Sequence, residues 1–417
     1  MQVQTETDPK ISAHLLQRFN EVRKFSVSLA KPLSEEDCCI QSMPDASPMK
    51  WHLAHTTWFF ETFILERFEI NFRPYHQAYR VLFNSYYNGV GQKHPRAQRG
   101  LLSRPSTNEV IAYRHNVDMR MGALLERAIS NDSVSESILD LISLTELGIQ
   151  HEQQHQELML TDIKHMLSMN PLFPAYENSL PVRHRSSLEN ADKVTWISLD
   201  AGVVMIGYDA ISFCFDNEIP RHRQFVEAFS MASRLVTNAE YAVFIDAGGY
   251  RNPVHWLAEG WDWVRNQGLT QPLYWYRPDD KLWHEFTLHG LQRLDPQAPA
   301  IHLSYFEADA YAHWAGARLP TEFEWEMAAT TSSSSAQLLQ LFGTAWQWTS
   351  SSYAPYPGFV AAEGVVGEYN GKFMVNQYVL RGSSCVTPVG HTRTTYRNFF
   401  SVGARWQFTG IRLAKSI

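Results

Sequence analysis

Gly148-Ile149-Gln150-His151-Glu152-Gln153-Gln154-His155-Gln156-Glu157 sets two histidines one helical turn apart inside an apolar-periodic segment. Residues i and i+4 of a helix stand above one another on one face, so the imidazoles of His151 and His155 can converge on one ion. Leu144, Leu147, Gly148, His151, His155, Leu158 and Met159 fall on one stripe at the helical period, which turns both rings towards a core. Gly148, one turn before His151, is expected to leave room beside it. Either ring alone reads as an ordinary core histidine. The pair, with the carboxylate of Glu157 close in sequence, makes metal binding an equal competitor. The string also fits His-Glu-x-x-His, the pattern of a zinc hydrolase with Glu152 as general base.

The 417 residues leave room for two domains with cores that need no covalent staples. A formal charge of −7 and the lack of any long basic run remove the electrostatic footprint of a nucleic-acid or anionic-membrane partner. Small molecules are the expected partners. Met1 to Lys10 carries no basic stretch followed by an apolar one, and no run reaches the roughly 18 apolar residues of a membrane span, so a cytoplasmic location is expected. Cys38, Cys39, Cys214 and Cys385 are too few and too irregular for a disulfide framework, so reduced thiols are expected. Nothing in the sequence fixes an oligomeric state. Many of the tryptophans cluster between Trp256 and Trp348 among Gly and Pro, a texture foreign to the first 170 or so residues. Two different folds in one chain are expected.

Working outward, the period predicts a first helix over Ile11 to Leu29, with Leu15, Leu16, Phe19, Val22 and Phe25 on its apolar positions. A second begins at Trp51, where Trp51, His55, Trp58, Phe59 and Thr62 share a face and His52 lies towards the flank. His55 is therefore the candidate third ligand, from a different helix than the pair, as bundle metal sites require. The connection that follows carries Tyr86 and Tyr87 between Asn84 and Gly91, then Arg96 and Arg99, and suits an active-site loop. A third helix is expected over Thr107 to Ser130 and a fourth over Ser135 to Met169, stopped by Pro171 and Pro174. Residues 171–194 read as a linker. From 195 to 417 the pattern changes to short, Gly-punctuated strands with two short helices, and Ser332 to Ser335 reads as a flexible turn. The expected fold class is α+β in two domains, a four-helix bundle over 1–170 followed by a loop-rich domain.

The second half resembles the formylglycine-generating-enzyme (sulfatase-modifying factor) domain, a C-type-lectin-like fold, through Asn217-Glu218-Ile219-Pro220-Arg221-His222, Val236-Thr237-Asn238-Ala239-Glu240-Tyr241, Ala317 to Glu326, Arg381-Gly382-Ser383-Ser384 and Gly410-Ile411-Arg412-Leu413-Ala414. The first half resembles DinB-like bundles through Leu53-Ala54-His55-Thr56 and the His-x-x-x-His-x-Glu string. In this order the two resemble the EgtB-type sulfoxide synthases of ergothioneine biosynthesis.

That resemblance implies a non-haem iron enzyme that uses O2 to join a cysteine sulfur to C2 of the imidazole of Nα-trimethylhistidine (hercynine), leaving a sulfoxide. It implies Fe(II) held by His55, His151 and His155, with Gln154 on the side of the substrate imidazole. Tyr87, or else Tyr86, would be the catalytic tyrosine. Arg96, Arg99, Arg393 and Arg397 are candidates for the substrate carboxylates. The segment Arg397-Asn398-Phe399-Phe400 matches the place where the second domain covers the betaine, and a quaternary ammonium, which cannot hydrogen-bond, needs aromatic faces such as Phe399 and Phe400, worth roughly 0.5–2 kcal/mol per contact. Only Cys385 lies in the C-terminal part, which argues against formylglycine-generating oxidase chemistry, and no residues are left for the methyltransferase domain of ovothiol synthases. The acid that accompanies γ-glutamylcysteine use is absent near Arg397-Asn398-Phe399-Phe400, so free cysteine is the expected donor. A selenium-using relative, the zinc hydrolase and a non-catalytic lectin-like binding protein are the competing readings.

Overall fold

The computed structural model describes residues 9–129, 135–177, 193–278, 282–361 and 365–417. The chain divides into two compact units, Met1–Met169 and Asn170–Ile417. Most of the expected linker, the end of the third helix at Ser130 and most of the Met1 to Lys10 stretch lie outside the described residues.

The first unit is a bundle of α1 (Pro9–Ala30), α2 (Met49–Phe60), α5 (Thr107–Ile129) and α6 (Glu136–Ser168), with α3 (Glu66–Phe68) and α4 (Tyr79–Leu82) as short turns between the second and third long helices. α1 packs on α5 and α6, and α2 packs on the same two. All twelve residues of α2 are buried, as expected of a helix with no polar face. A π-helical turn, Glu61–Leu65, continues it. α6 starts at Ser135, whose hydroxyl accepts the backbone N–H of Ile138 and satisfies one of the orphan donors of the first turn. On α1 the buried positions are Leu15, Phe19, Arg23, Ser26 and Leu29, while Phe25 is 45% exposed. The apolar pattern placed Phe25 inwards; the interior takes Arg23 instead, because a buried carboxylate, Glu152, waits for it.

The second unit is built from small sheets and short helices. β1 (Trp196–Leu199), β4 (Phe229–Ala232) and β12 (Ala414–Ser416) form an antiparallel sheet in the order β1-β4-β12. β8 (Ala345–Ser352), β9 (Gln377–Ser383), β10 (Asn398–Ser401) and β11 (Thr409–Gly410) form a second in the order β10-β9-β8-β11. β2 (Gly202–Ile206) pairs with β3 (His222–Val226), and β5 (Trp275–Tyr276), β6 (His284–Thr287) and β7 (Gly290–Arg293) form a small meander. Ile197, Leu199, Val226, Phe229 and Met231 pack with Trp325, Ala328, Leu338 and Leu341 in the core.

Among the described residues four helices of more than one turn occur here instead of the expected two: α7 (Asn238–Asp246), α8 (Ala258–Gln267), α9 (Tyr305–Trp314) and α10 (Glu322–Thr330). Ser332–Ser335, expected as a turn, is one helical turn, α11. Two of the sequence strings quoted above hold capping boxes, Thr237 with Glu240 and Thr321 with Glu324, and Ser304 with Glu307 forms a third; each pair exchanges hydrogen bonds across the first turn of α7, α10 and α9 respectively. No helix among the described residues is long and apolar enough to cross a membrane.

Candidate metal centre

α2 and α6 bring His55, His151 and His155 together, with one nitrogen of each ring within 4.8 Å of the others. Nε2 of His55 lies 3.2 Å from Nε2 of His151. The other nitrogen of His55, Nδ1, donates to the carbonyl of Phe83 at 2.6 Å, which leaves Nε2 as a lone pair aimed at the group. His55 is clamped between Trp51, stacked at 4.6 Å and 12°, and Trp58, at 5.5 Å and 19°. Phe59 lies 4.6 Å from the ring of His151. Burial, reinforced by the neighbouring histidines, pushes His55 and His155 well below the ordinary imidazole range, and burial takes His151 down to about 3. Neutral rings with converging lone pairs are the donor set a transition metal requires.

Gly148 does not leave open space beside His151. A Cβ there would lie 2.6 Å from Cε1 of Phe60 and 3.3 Å from Cε1 of Phe59. The glycine admits the aromatic face of α2, and that face orients His151.

Glu152 points away from the histidine group. Its carboxylate is completely buried and accepts from Arg23 at 2.9 Å, from Ser26 at 2.5 Å and from Arg114. Burial pushes its pKa upward, but Arg114 and Arg23 outweigh burial and hold it below its ordinary value. A carboxylate whose lone pairs are spent on two guanidinium groups cannot act as a general base. The zinc-hydrolase reading fails on this contact. Glu157 is outside the metal-competent group as well.

Phe83, whose carbonyl fixes His55, also starts the tyrosine segment. Asn84 locks this turn: its Oδ1 accepts the N–H of Tyr87 at 3.0 Å and its Nδ2 donates to the carbonyl of Tyr87 at 2.9 Å. Tyr87 is buried against Trp58, Phe59 and Phe63, and Tyr86 is part-buried and stacked on it at 4.5 Å with the two hydroxyls 3.4 Å apart. Gln154 is part-buried on α6.

Arg99 is buried, with its guanidinium carbon 3.3 Å from the centre of the Trp51 ring and its Nη1 donating to Ser47 Oγ at 2.8 Å. Burial, with the nearby Arg96 second, lowers its pKa to about 9. Among the described residues no carboxylate pairs with it. Arg96 is exposed and donates to the carbonyl of Asp45.

The candidates of the second unit sit differently. Arg393 grips Glu218 at 2.7 Å and Arg397 grips Glu322 at 2.8 Å through Nε and 3.0 Å through Nη2. Both carboxylates are buried, so these guanidinium groups serve the fold of their own unit. Asn398, Phe399 and Phe400 are part-buried on β10, with Phe399 stacked on Tyr353 at 4.1 Å. Two residues beside the histidine group escape the sequence reading: His52, placed towards a flank, is 2% exposed and bonded to His155, and Asp162 is bonded to His52. Asp162 follows His155 by two helical turns and so shares its face, which is the signal that would have found it.

The family pattern described as sulfatase-modifying factor enzyme 1-like domain matches residues 184–337 and 330–417, and that of the DinB superfamily matches residues 18–159. The chain is 30% identical to a hercynine oxygenase of Mycobacterium tuberculosis, over 92% of this chain and 94% of that protein. It is 32% identical to one from Mycolicibacterium smegmatis, over 64% of this chain and 70% of that protein. A third, from Mycolicibacterium thermoresistibile, is 30% identical over 89% of this chain and 88% of that protein.

Proposed function

The chain belongs to the hercynine oxygenase family, and from that premise we propose that it is an iron(II)-dependent sulfoxide synthase of ergothioneine biosynthesis with free cysteine as sulfur donor. In the overall reaction the C2–H bond of hercynine and the S–H bond of the thiol give way to a C–S bond. One oxygen of O2 ends in the sulfoxide and the other leaves as water.

The observation that carries the reading is the convergence of His55, His151 and His155 with Nδ1 of His55 already spent on Phe83. Iron(II), when bound, would supply the redox chemistry of dioxygen and favour the thiolate over the thiol. The protein's own residues do the rest. Trp51 and Trp58 hold the His55 ring and exclude water from it. Tyr87, whose ring lies 5.7 Å from that of Trp58, is the proton or hydrogen donor, with Tyr86 as its hydrogen-bonding neighbour. Gln154 contacts the substrate imidazole. Arg99, a buried cation lacking a carboxylate, takes a substrate carboxylate, and Arg96 is a secondary candidate. Phe399 and Phe400 are the aromatic faces for the quaternary ammonium.

The test is anaerobic loading with iron(II), then hercynine, O2 and either cysteine or γ-glutamylcysteine, followed by mass spectrometry. The sulfoxide-bridged cysteine adduct is expected, with none from His151→Ala for want of iron. Tyr87→Phe should keep its iron and lose product formation by about 10²-fold or more. Absence of product with either thiol would sink the proposal.

A further inference from the structure

His52 stands three residues before His55 on α2, and both of its ring nitrogens are engaged. Nδ1 lies 2.8 Å from Nδ1 of His155, and Nε2 lies 3.0 Å from Oδ2 of Asp162. Asp162 is 7% exposed, and the same oxygen accepts the backbone N–H of Ser47 at 2.8 Å.

For a neutral His52 beside an ionised Asp162, these contacts order the protons in sequence. An ionised carboxylate only accepts, so Nε2 of His52 carries the hydrogen that faces Asp162. A neutral imidazole protonated on Nε2 has its lone pair on Nδ1. The short contact between the two Nδ1 atoms is then a hydrogen bond in which His155 is the donor. With its hydrogen on Nδ1, His155 has its lone pair on Nε2. His55 reaches the same state by a shorter route, through the carbonyl of Phe83.

We propose that Asp162 and His52 are positioning residues that fix the tautomer and ring orientation of His155 and so present its Nε2 to the metal. This rests on reading the three-histidine group as a metal centre. A carboxylate bonded directly to a ligand histidine does the same elsewhere. The interposed ring adds two things here. It keeps the negative charge one imidazole away from the metal, and it ties α2 to α6, the two helices that carry the ligands. Ser47 extends the connection, since its N–H holds Asp162 while its hydroxyl accepts from Arg99. The relay therefore ends at the cation proposed for a substrate carboxylate.

Two measurements on the full chain test the relay. In metal-free protein labelled with 15N-histidine, nitrogen shifts should place the proton of His52 on Nε2 and that of His155 on Nδ1. In Asp162→Asn, where an amide can donate as well as accept, iron(II) affinity from anaerobic chelator competition should fall about 10- to 100-fold, and Asp162→Glu should recover part of it. A purely structural Asp162 would lower the thermal midpoint and leave the affinity of the folded protein unchanged, which would overturn the proposal. So would a His155 protonated on Nε2 in the wild-type chain, a result that stands even if the variants fail to fold. A wild-type chain that takes up no iron would overturn the metal reading itself, while the nitrogen shifts would still decide the tautomer.

Discussion

Arg23 Nη1 stands 2.9 Å from Oε2 of Glu152, with side-chain exposures of 2% and 0%. This pair, shared with Arg114, explains why a glutamate beside a metal-ligand candidate has no part in the chemistry. Removing one member of a buried ion network strands the others, at a cost of about 3–5 kcal/mol. Glu152→Gln is therefore expected to lower the unfolding free energy from denaturant titration by that amount, while the fraction that folds binds iron and turns over normally. A stable but inactive variant would reinstate Glu152 as a base.

Gly148→Ala sets two effects against each other. Alanine favours a helix interior over glycine by about 1 kcal/mol, but the new methyl would sit 2.6 Å from Cε1 of Phe60. The ring must move, and overpacking of this kind costs about 1–3 kcal/mol. Packing wins, so the thermal midpoint should drop. Iron affinity should drop with it, because Phe59, 3.3 Å from the same methyl, lies against the ring of His151. A stabilised variant with normal affinity would show that the aromatic face is less tightly packed than it looks.

What the sequence showed depended on whether the signal was local. The i, i+4 histidines, the aromatic face around His55 and the start of the fourth helix at Ser135 all act within a turn or two of helix, and these elements appear where the sequence put them. Ion pairs have no period: Arg23 and Glu152 are 129 residues apart, so the apolar pattern turned Phe25 inwards in place of Arg23. His52 was assigned to a flank because its partners, His155 and Asp162, lie on another helix. In the second unit the strings that carried the family resemblance hold two of the capping boxes, but β4 pairs with both β1 and the C-terminal β12, an order that no short-range signal encodes. The Trp- and Gly-bearing stretch Ala258–Gln267 was hidden as a helix by residues that also suit loops.

The arginines separate by what holds them. Arg397 is bonded to Glu322, the carbonyl of Asn217 and the carbonyl of Ala354, so Arg397→Ala should destabilise the second unit by about 3–5 kcal/mol. Among the described residues Arg99 is held by the Ser47 hydroxyl and the face of Trp51. Arg99→Gln should leave the thermal midpoint nearly unchanged and raise the KM for one substrate, since losing a charged hydrogen bond costs about 1.5–3 kcal/mol, roughly 10- to 100-fold. Equal loss of stability in both variants would remove Arg99 from the substrate site.

The three histidines also set an acid limit. In the unfolded chain each ring takes up a proton as the pH falls below about 6.5, whereas in the folded chain burial keeps all three neutral, His151 down to about 3. Between those values the unfolded chain binds more protons, so stability rises with pH there. The contribution of the neutral rings is complete above about pH 6.5 and is lost as acid approaches the folded value. Metal-free protein should therefore melt at progressively lower temperature from about pH 7 to pH 5, and His151→Gln, with one such ring fewer, should show a shallower slope. Identical slopes for the two proteins would mean that His151 takes up a proton as readily in the folded chain as in the unfolded one, so that burial does not hold it neutral.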